Sequence, residues 1–476
     1  MADVVIIGAG VAGLSSALTV SRAGHTVTLV ERDATPLPET AAGAFDWDRR
    51  GAPQVRHSHA FLARLRNALR DRFPDVLEAL FAAGATEMDF ISMLPEGMDR
   101  TRHPGDDDLV ALACRRTTFE WVLRRLVLSE DHVRLIDGQA VAALRWTPGA
   151  PPLVTGVELD DGRELTADLV VAAGGRRCAV PTLLAPLGVD LEERTEDTGI
   201  IYFSRFFQLL DDAEWPPQTG PIGGDLGYLK YGVFPGDNRT FSITLAVGVH
   251  DDEMRRLVID PDGFQRVAAS LPATAAHVDG RATPIGGVHV MAKLLNRGRR
   301  FLTEAGDPKV LGFSAVGDAH TCTNPLYGRG CSLAFVQAEL LAESIEAHSD
   351  ECDRVRWYEE RCAEEILPWY KAAVAQDAAN RAANEPPPPS PTDVESPPVA
   401  AEDPMRAMMR DGLLPAIRTD PVVLRAFLRM FNLLEAPDSL MKDWEVIGRV
   451  MTVYQDRDQR PPEPSLGPDR TAMLTR

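Results

Sequence analysis

The sequence predicts an α/β fold, α+β overall, in which a parallel-sheet domain is interrupted by a mainly antiparallel sheet and followed by helices. Short apolar runs at residues 3–8 and 168–173 are typical of strands that are buried on both faces of a parallel sheet. Between about residues 180 and 300, segments become richer in aromatic and β-branched residues, which favours an antiparallel sheet. The chain has 476 residues, more than one ordinary core contains, so two packed domains with additional segments are expected.

Composition and charge exclude several classes of protein. Hydrophobic residues make up 45% and charged residues 25% of the chain, as in globular proteins. The net charge of −20 disfavours a nucleic-acid partner, since phosphate binding requires clustered Lys and Arg. No apolar run is long enough for a membrane span and the N-terminus lacks a signal-peptide pattern, so we expect a cytoplasmic protein. The six cysteines lack zinc-site spacing, which predicts reduced thiols and no bound metal.

The N-terminal element is a strand–turn–helix–strand unit. A strand is predicted at 3–8, a helix at 11–23 that ends at Gly24, and a second strand at 26–31. The turn GAGVAG at residues 8–13 has three glycines with different roles. The first permits the tight turn, the second lets a pyrophosphate approach the backbone, and the third lets helix and strand pack closely. Because the helix N-terminus also offers free N–H groups to phosphates, the unit predicts a Rossmann-like dinucleotide-binding domain.

The second strand of this unit ends on an acidic residue. Glu31 lies 18 residues after Gly13, where a carboxylate hydrogen-bonds ribose hydroxyls and disfavours a 2′-phosphate. The candidate nucleotide-binding residues of the unit are Gly8, Gly10, Val11, Ala12, Gly13, Glu31 and Arg32. FAD and NAD sites obey the same physics, so this unit alone leaves the choice between them open.

Further helices and strands follow along the chain. The predicted helices are at 61–84 (with a break near Pro74), 117–130, 331–347 and 354–383. The predicted strands are two within 153–172, joined by the turn Asp161-Gly162, and one at 310–316. The strand at 310–316 is of the buried type and is expected to return to the parallel sheet.

These elements divide the chain into a discontinuous nucleotide-binding domain, an inserted domain and a C-terminal part. The predicted bounds are 1–180 with 300–350 for the nucleotide-binding domain, 181–299 for the sheet domain that would bind substrate, 351–383 for helices, 384–404 for a proline-rich linker, 405–457 for C-terminal helices and 458–476 for a disordered tail. The linker is proline-rich and acidic, so it cannot bury a core. The Met- and Leu-rich C-terminal helices are expected to pack as core, with a lid over an apolar pocket or a membrane-surface helix as alternatives.

A second motif, AVGDAHTCTNPLYGRG at residues 315–330, joins an aspartate to a glycine-rich turn that opens a helix. It resembles the GD motif of flavoprotein hydroxylases, and residues 8–32 resemble the FAD-binding start of glutathione-reductase-like flavoproteins. The resemblance implies that Asp318 binds the FAD ribitol and that the turn and the helix N-terminus lie beside the flavin pyrimidine ring. Backbone N–H groups there can stabilise negative charge on a reduced flavin. The implied site residues are Asp318, Pro325, Gly328, Gly330 and Cys331, with His320 in a structural role.

Three more stretches narrow the resemblance. Residues 168–178 resemble the DG-type motif of flavin monooxygenases, with departures at Ala172 and Gly175. With PQVRHSHA at 53–60 and RRTTFEWVLR at 115–124, the chain is similar to bacterial oxidoreductases grouped with polyprenyl-phenol hydroxylases and polyether epoxidases, in the p-hydroxybenzoate-hydroxylase-like superfamily. The resemblance implies three more FAD-binding residues, which are Arg116, Val141 and Gly174. Of these, Arg116 would contact the FAD diphosphate or ribityl chain.

Two histidines are the candidate catalytic residues. His57 and His59 lie on a loop expected to approach the flavin ring, where an imidazole can hydrogen-bond the flavin or shuttle a proton. For each of them, the alternative is a structural or solvent-exposed histidine. Tyr228, Tyr231 and Phe234 are candidates for the wall of a substrate pocket, with packing in the core as the alternative.

The resemblance implies an FAD-dependent monooxygenase, in which reduced flavin and O₂ form a C4a-hydroperoxide that hydroxylates or epoxidises a hydrophobic aromatic or olefinic molecule. No second dinucleotide fingerprint occurs in the sequence, so electrons would come from transiently bound NAD(P)H or from a separate flavin reductase. Alternatives are an FAD-dependent reductase or dehydrogenase of an isoprenoid-like substrate, and a non-redox flavoprotein such as a hydratase, an isomerase or a binding protein. A tryptophan halogenase is disfavoured because the W-x-W-x-I-P signature is missing.

Overall fold

The computed structural model describes residues 1–94, 97–217, 222–384, 404–460 and 465–475. Within these ranges the strands are β1 (Asp3–Ile7), β2 (Thr26–Glu31), β3 (Thr86–Asp89), β4 (Val110–Ala113), β5 (Val133–Asp137), β6 (Val141–Thr147), β7 (Leu153–Leu159), β8 (Glu164–Thr166), β9 (Leu169–Ala172), β10 (Glu192–Asp197), β11 (Ile200–Leu209), β12 (Gly223–Asp225), β13 (Leu229–Pro235), β14 (Thr240–Gly248), β15 (Ala282–Met291), β16 (Leu295–Arg300), β17 (Phe313–Ala315) and β18 (Thr321–Cys322). The α-helices are α1 (Val11–Arg22), α2 (Ala63–Arg72), α3 (Pro74–Ala82), α4 (Arg116–Ser129), α5 (Val180–Leu184), α6 (Asp252–Ile259), α7 (Pro261–Ser270), α8 (Pro272–Ala275), α9 (Gly330–Ala347), α10 (Glu351–Glu365), α11 (Leu367–Asn384), α12 (Pro404–Met408), α13 (Leu414–Thr419), α14 (Pro421–Phe431), α15 (Trp444–Gln455) and α16 (Arg470–Leu474). In the described ranges, no helix combines the length and the apolar character that a bilayer span requires.

Five strands form a parallel sheet in the order β17-β9-β1-β2-β5. Alternate residues of its strands enter two apolar clusters, one on each face of the sheet. Val4 and Ile6 of β1 pack on the face that carries α1, α4 and α9. Val5 of the same strand packs on the opposite face, where the β6-β7-β8 sheet lies. Burial on both faces explains the continuous apolar runs in the sequence and confirms the predicted parallel sheet.

The inserted region forms an antiparallel sheet in the order β12-β13-β14-β11-β15. One face of this sheet, with Phe203 of β11 opposite Leu245 of β14, packs against α6, α7 and α8. The other face, which carries Tyr202 and Ser204, points toward the parallel-sheet domain, because successive strand residues alternate between faces. The predicted antiparallel sheet is therefore confirmed, and the three helices that cover it are additional.

Several predicted elements differ in detail from the structure. The break in the 61–84 segment occurs at Phe73, immediately before the proline that begins α3. The helix predicted over 354–383 is two helices, and the second begins at Leu367, immediately before Pro368, whose ring cannot continue an existing helix. Residues 153–172 contain three strands, because the turn at Gly162 joins β7 to β8 and the apolar run forms the separate strand β9.

The disordered tail predicted for 458–476 is wrong for residues 465–475. Helix α16 begins after Asp469, whose carboxylate accepts the Ala472 N–H. Met473 of this helix is 1% exposed and belongs to the apolar cluster of the antiparallel sheet. Arg470 contacts Asp251 at 2.7 Å. A buried methionine and an ion pair therefore fix a segment whose composition indicated disorder.

The C-terminal helices form an apolar cluster of their own that includes Leu413, Val423 and Val446. Helix α14 also packs on Ile91 and Leu109 through its partly buried leucines. These contacts agree with core packing for part of this region, including Met408 and Met430, whereas Met405, Met409 and Met441 are exposed. The predicted linker at 384–404 lies outside the described residues, apart from its first and last positions.

Candidate active site

A cavity of about 760 Å³ lies between the parallel sheet and the antiparallel sheet. Its wall follows the residues at which β1, β9 and β17 end, among them Gly8, Gly174 and Asp318. The carboxyl ends of strands in such a sheet are where nucleotides bind. Sixteen predicted site residues line this cavity: Gly8, Gly10, Val11, Ala12, Glu31, Arg32, His57, His59, Arg116, Val141, Gly174, Asp318, Pro325, Gly328, Gly330 and Cys331.

The glycines of the turn at one end of the cavity have two different roles, since some are needed for folding and one leaves space for a ligand. Gly8 has a φ of +105°, which favours glycine, and a Cβ on Gly13 would lie 1.9 Å from the Gly8 carbonyl oxygen. Gly13 is thus a packing residue and does not line the cavity. A Cβ on Gly10 would meet no atom within 4 Å, because this position faces the open cavity. Gly10 is the N-cap of α1 and provides no side-chain cap, so the first N–H groups of the helix remain free for an anion.

Glu31 and a buried arginine organise the same end. One oxygen of Glu31 accepts the Ala9 N–H at 2.9 Å, and the other accepts the Asp33 N–H at 3.0 Å. Arg49, whose side chain is 2% exposed, contacts Glu120 at 2.7 Å and Glu31 at 3.5 Å. Glu31 therefore holds the glycine turn in place as well as facing the cavity. Arg49 also lines the cavity, and sequence reasoning missed it because it belongs to no motif.

The opposite end of the cavity is formed by the turn that precedes α9. Gly328 has a φ of +65°, and a Cβ there would lie 2.9 Å from the Cβ of Ala60, so the turn and the 53–60 loop are in close contact. A Cβ on Gly330, the first residue of α9, would meet no atom within 4 Å. No side chain caps this helix, so its N-terminal N–H groups are free to face the cavity.

Two charged residues lie between the two ends. Asp318 lines the cavity, and burial raises the pKa of its carboxyl above the ordinary value, while the Arg116 charge opposes this rise. Arg116 is 9% exposed and its Nη1 contacts His59 Nε2 at 3.2 Å and Cys331 Sγ at 3.4 Å. The Nε of Arg116 lies 3.5 Å from Glu120 Oε2, in an ion pair that lacks hydrogen-bond geometry. An incompletely paired guanidinium on a cavity wall is suited to bind an anionic or hydroxyl-rich chain.

Both candidate histidines lie on the cavity wall and are neutral at pH 7. Burial lowers the pKa of His57 to about 3, and the neighbouring His289 adds to the effect. Burial and the charge of Arg116 lower the pKa of His59 to about 3. His59 Nδ1 lies 3.0 Å from the His57 carbonyl oxygen, so Nδ1 donates and Nε2 is left to accept from Arg116. With both nitrogens engaged and a low pKa, His59 is a poor proton shuttle at neutral pH.

A chain of hydroxyl groups, here called the hydroxyl row, connects His57 to the antiparallel sheet. His57 Nδ1 lies 3.1 Å from Ser204 Oγ, and Ser204 Oγ lies 2.7 Å from Thr244 Oγ1. Ser58 Oγ lies 2.6 Å from Thr244 Oγ1 and 2.7 Å from Ser242 Oγ. The hydroxyl row was not predicted, since Ser58 and Thr244 are 186 residues apart and Thr244 belongs to no motif.

The aromatic residues proposed for a substrate pocket do not line the cavity. The Tyr228 hydroxyl donates to the Pro468 carbonyl oxygen at 2.8 Å, on the helix-covered side of the sheet. Tyr231 is 7% exposed, belongs to the apolar cluster there and donates to the Leu466 carbonyl oxygen. Phe234 packs beside Gly232 instead. The pocket interpretation is therefore wrong for both tyrosines, for which the core alternative holds. Phe234 lies on the other face of the sheet, opposite Ser242, and does not line this cavity.

Comparison with known proteins agrees with this geometry. Residues 3–79 match the family model described as FAD dependent oxidoreductase. No curated protein matches the chain. Many solved structures share the fold, including PqsL, a probable FAD-dependent monooxygenase from Pseudomonas aeruginosa, at 18% identity and a TM-score of 0.56 over 81% of this chain and 97% of that one.

Two further solved structures extend this likeness. The flavin-dependent brominase Bmp2 is 15% identical, with a TM-score of 0.57 over 97% of this chain and 100% of that one. A variant of 2-methyl-3-hydroxypyridine-5-carboxylic acid oxygenase is 16% identical, with a TM-score of 0.52 over 81% of this chain and 93% of that one. The predicted fold class is thereby confirmed, and the match at residues 3–79 agrees with the prediction of an FAD-dependent oxidoreductase.

Proposed function

We propose that this chain is an FAD-dependent monooxygenase that inserts one oxygen atom from O₂ into a hydrophobic aromatic or olefinic small molecule. The observation that carries the proposal is that one cavity joins the glycine turn before α1 to the glycine turn before α9. Each turn opens a helix without a side-chain cap, so the cavity has a group of free N–H donors at either end. The family match at residues 3–79 and the shared fold support the same conclusion.

The residues that line the cavity fit FAD. The α1 N-terminus would hold the pyrophosphate beside Gly10, where no protein atom occupies the space a Cβ would need. Asp318 and Arg116, which both line the cavity, would contact the ribityl chain and diphosphate. The α9 N-terminus would lie at the pyrimidine edge of the flavin ring. When bound, FAD supplies the redox and oxygen chemistry, and the chain's own residues bind and orient it.

The hydroxyl row supports a substrate position on the sheet side of the cavity. Ser58 and His57 line the cavity, and the remaining hydroxyls continue from them across the antiparallel sheet. Neutral His57 keeps Nδ1 on Ser204, and no described residue hydrogen-bonds its Nε2. These groups would orient a polar substituent of an otherwise apolar substrate, since each hydroxyl can donate or accept.

The electron donor and the location of the protein are further parts of this proposal. Because the sequence has no second dinucleotide fingerprint, NAD(P)H would bind transiently or a separate flavin reductase would supply reduced flavin. A cytoplasmic location is the corresponding prediction from the sequence. Steady NAD(P)H oxidation by the purified protein alone would favour the first route, and activity only with added reductase the second.

An absorbance spectrum of the purified protein, before and after addition of FAD, tests the cofactor. Flavin bands at about 370 and 450 nm are expected. Oxygen consumption that depends on substrate and on a reductant then tests the monooxygenase. Substrate turnover under anaerobic conditions would instead indicate the reductase or dehydrogenase alternative. A protein that takes up no FAD contradicts the proposal.

A further inference from the structure

A buried carboxylate from helix α11 lies against the turn that precedes α9. Asp377 is 1% exposed. Its Oδ1 accepts hydrogen bonds from Asn324 Nδ2 and from the Tyr327 hydroxyl, each at 2.9 Å. Its Oδ2 accepts from Asn296 Nδ2 at 2.7 Å. Two of these three donors belong to the 324–330 turn, so the carboxylate binds the turn itself.

The partners of Asp377 are bonded in turn to two other elements. Asn296 of β16 uses its amide oxygen to accept the Asn324 N–H at 2.7 Å. Asn324 uses its own amide oxygen to accept the Leu326 N–H at 3.0 Å and the Tyr202 hydroxyl at 2.8 Å. The turn is thus held between α11, β16 and β11. Every side-chain group of Asn324 is engaged, which leaves this residue no alternative position at equal energy.

Helix α11 also contacts the turn at a second point. The Arg329 guanidinium lies 4.9 Å from the Tyr327 ring centroid and 4.6 Å from that of Trp369 on α11. The Tyr370 ring lies over Gly298 of β16, where a Cβ would approach it at 3.4 Å. Two separate contacts from one helix restrict both ends of the turn, as positioning requires.

We propose that Asp377 is a positioning residue for the flavin: through Asn324 and Tyr327 it fixes the 324–330 turn, and hence the α9 N-terminus, at the ring end of the cavity. The inference rests on the proposed function, since it assigns a flavin to that end. A sequence-remote helix would then set how closely backbone N–H groups approach the flavin pyrimidine ring. Negative charge develops there on reduction, so the geometry of the turn controls how well reduced flavin is stabilised.

The test replaces Asp377 by asparagine, which keeps the shape but places an NH₂ group against donors. We expect FAD to bind roughly 5- to 100-fold more weakly, as for one or two lost buried hydrogen bonds. The midpoint potential of bound FAD should become more negative. In the protein without FAD, amide hydrogen exchange should rise in residues 324–331 and stay unchanged in α1. Tyr327→Phe, which leaves the carboxylate two donors, should show the same changes at smaller size.

Gln376→Ala, at an exposed neighbouring position on α11, is the matched control and should behave as the unmodified protein. If Asp377→Asn does not fold, Tyr327→Phe decides by the same measurements. FAD affinity, potential and exchange that match the unmodified protein would overturn the inference and leave the proposed function intact. An unmodified protein that binds no FAD would overturn the proposed function, and with it the assignment of a flavin to the turn.

Discussion

The two ends of the cavity are built in different ways. The glycine turn before α1 is held by Gly13, by Glu31 and by Arg49, which donates to the Ala9 carbonyl oxygen at 3.0 Å, so these supports lie within the first 49 residues. The turn before α9 is held by Asn296 and Asp377, which lie on opposite sides of it in the sequence. At the first end, Gly13 and Glu31 belong to a motif that can be recognised in the sequence. At the second end, residues from distant parts of the chain meet only in the folded protein, so no sequence motif indicates them.

The largest effect is expected at the glycine turn before α1, where Gly13→Ala is compared with Gly10→Ala. Gly13→Ala should cost about 3 kcal/mol or more of folding stability, because its Cβ would lie 1.9 Å from the Gly8 carbonyl oxygen. Gly10→Ala should leave apo stability within about 0.5 kcal/mol and weaken FAD binding, since its Cβ enters open cavity. Chemical denaturation and FAD titration measure the two effects. Equal losses of stability in both variants would contradict the division between packing and binding.

Arg116 connects the two ends and should show the next largest effect. Arg116→Met retains much of the side-chain volume but removes the guanidinium from the cavity wall. We expect FAD affinity to fall by roughly 10- to 100-fold, as for a lost charge-assisted hydrogen bond. Arg125→Met, on the same helix and stacked on Trp121, is the control. FAD titration with unchanged affinity in Arg116→Met would remove this residue from the site.

The neutral state of His57 gives a pH prediction. Its pKa is about 3 in the folded protein against 6.5 ordinarily, so only the unfolded chain takes up a proton between these values. This contribution to stability is present above pH 6.5 and is lost as pH falls toward 3. At pH 5 the loss should be about 2 kcal/mol relative to pH 7.

Urea denaturation at the two pH values measures this loss. His57→Asn should reduce it, and His103→Asn, at an exposed position, should not. The same neutrality predicts that flavin binding shows no titration of His57 between pH 5 and pH 8. A His57 signal that titrates near its ordinary pKa by NMR would refute the assignment.

The hydroxyl row should give the smallest effect. Thr244→Val removes the hydroxyl that contacts both Ser58 and Ser204. We expect KM for a turned-over substrate to rise by roughly 3- to 10-fold with FAD affinity unchanged, as for one hydrogen bond. Thr283→Val, at an exposed position of β15, is the control. A fall in FAD affinity would instead indicate that the hydroxyl row binds the cofactor and not the substrate.

The same contrast explains how much the sequence could predict. The parallel sheet, the glycine turns and the antiparallel sheet follow from local patterns, because β1 and β9 are buried on both faces and so remain apolar. Arg49, Asp377 and the hydroxyl row could not be predicted, since their roles arise from partners far away in the chain. The pocket prediction for Tyr228 and Tyr231 is wrong because the alternation of residues along a strand does not show which face of the sheet meets the cavity.

The packing of Met473 into the antiparallel-sheet domain has a consequence for the order of synthesis. The apolar cluster of this domain includes Ile201 and also Met473, which is added to the chain more than 270 residues later. A ribosome adds residues one after another from the N-terminus, so this sheet stays incompletely covered until α16 has emerged. Interruption of translation before that point would leave Tyr231 and its neighbours without their cover, and chaperones would encounter this domain as the late-maturing part of the nascent chain.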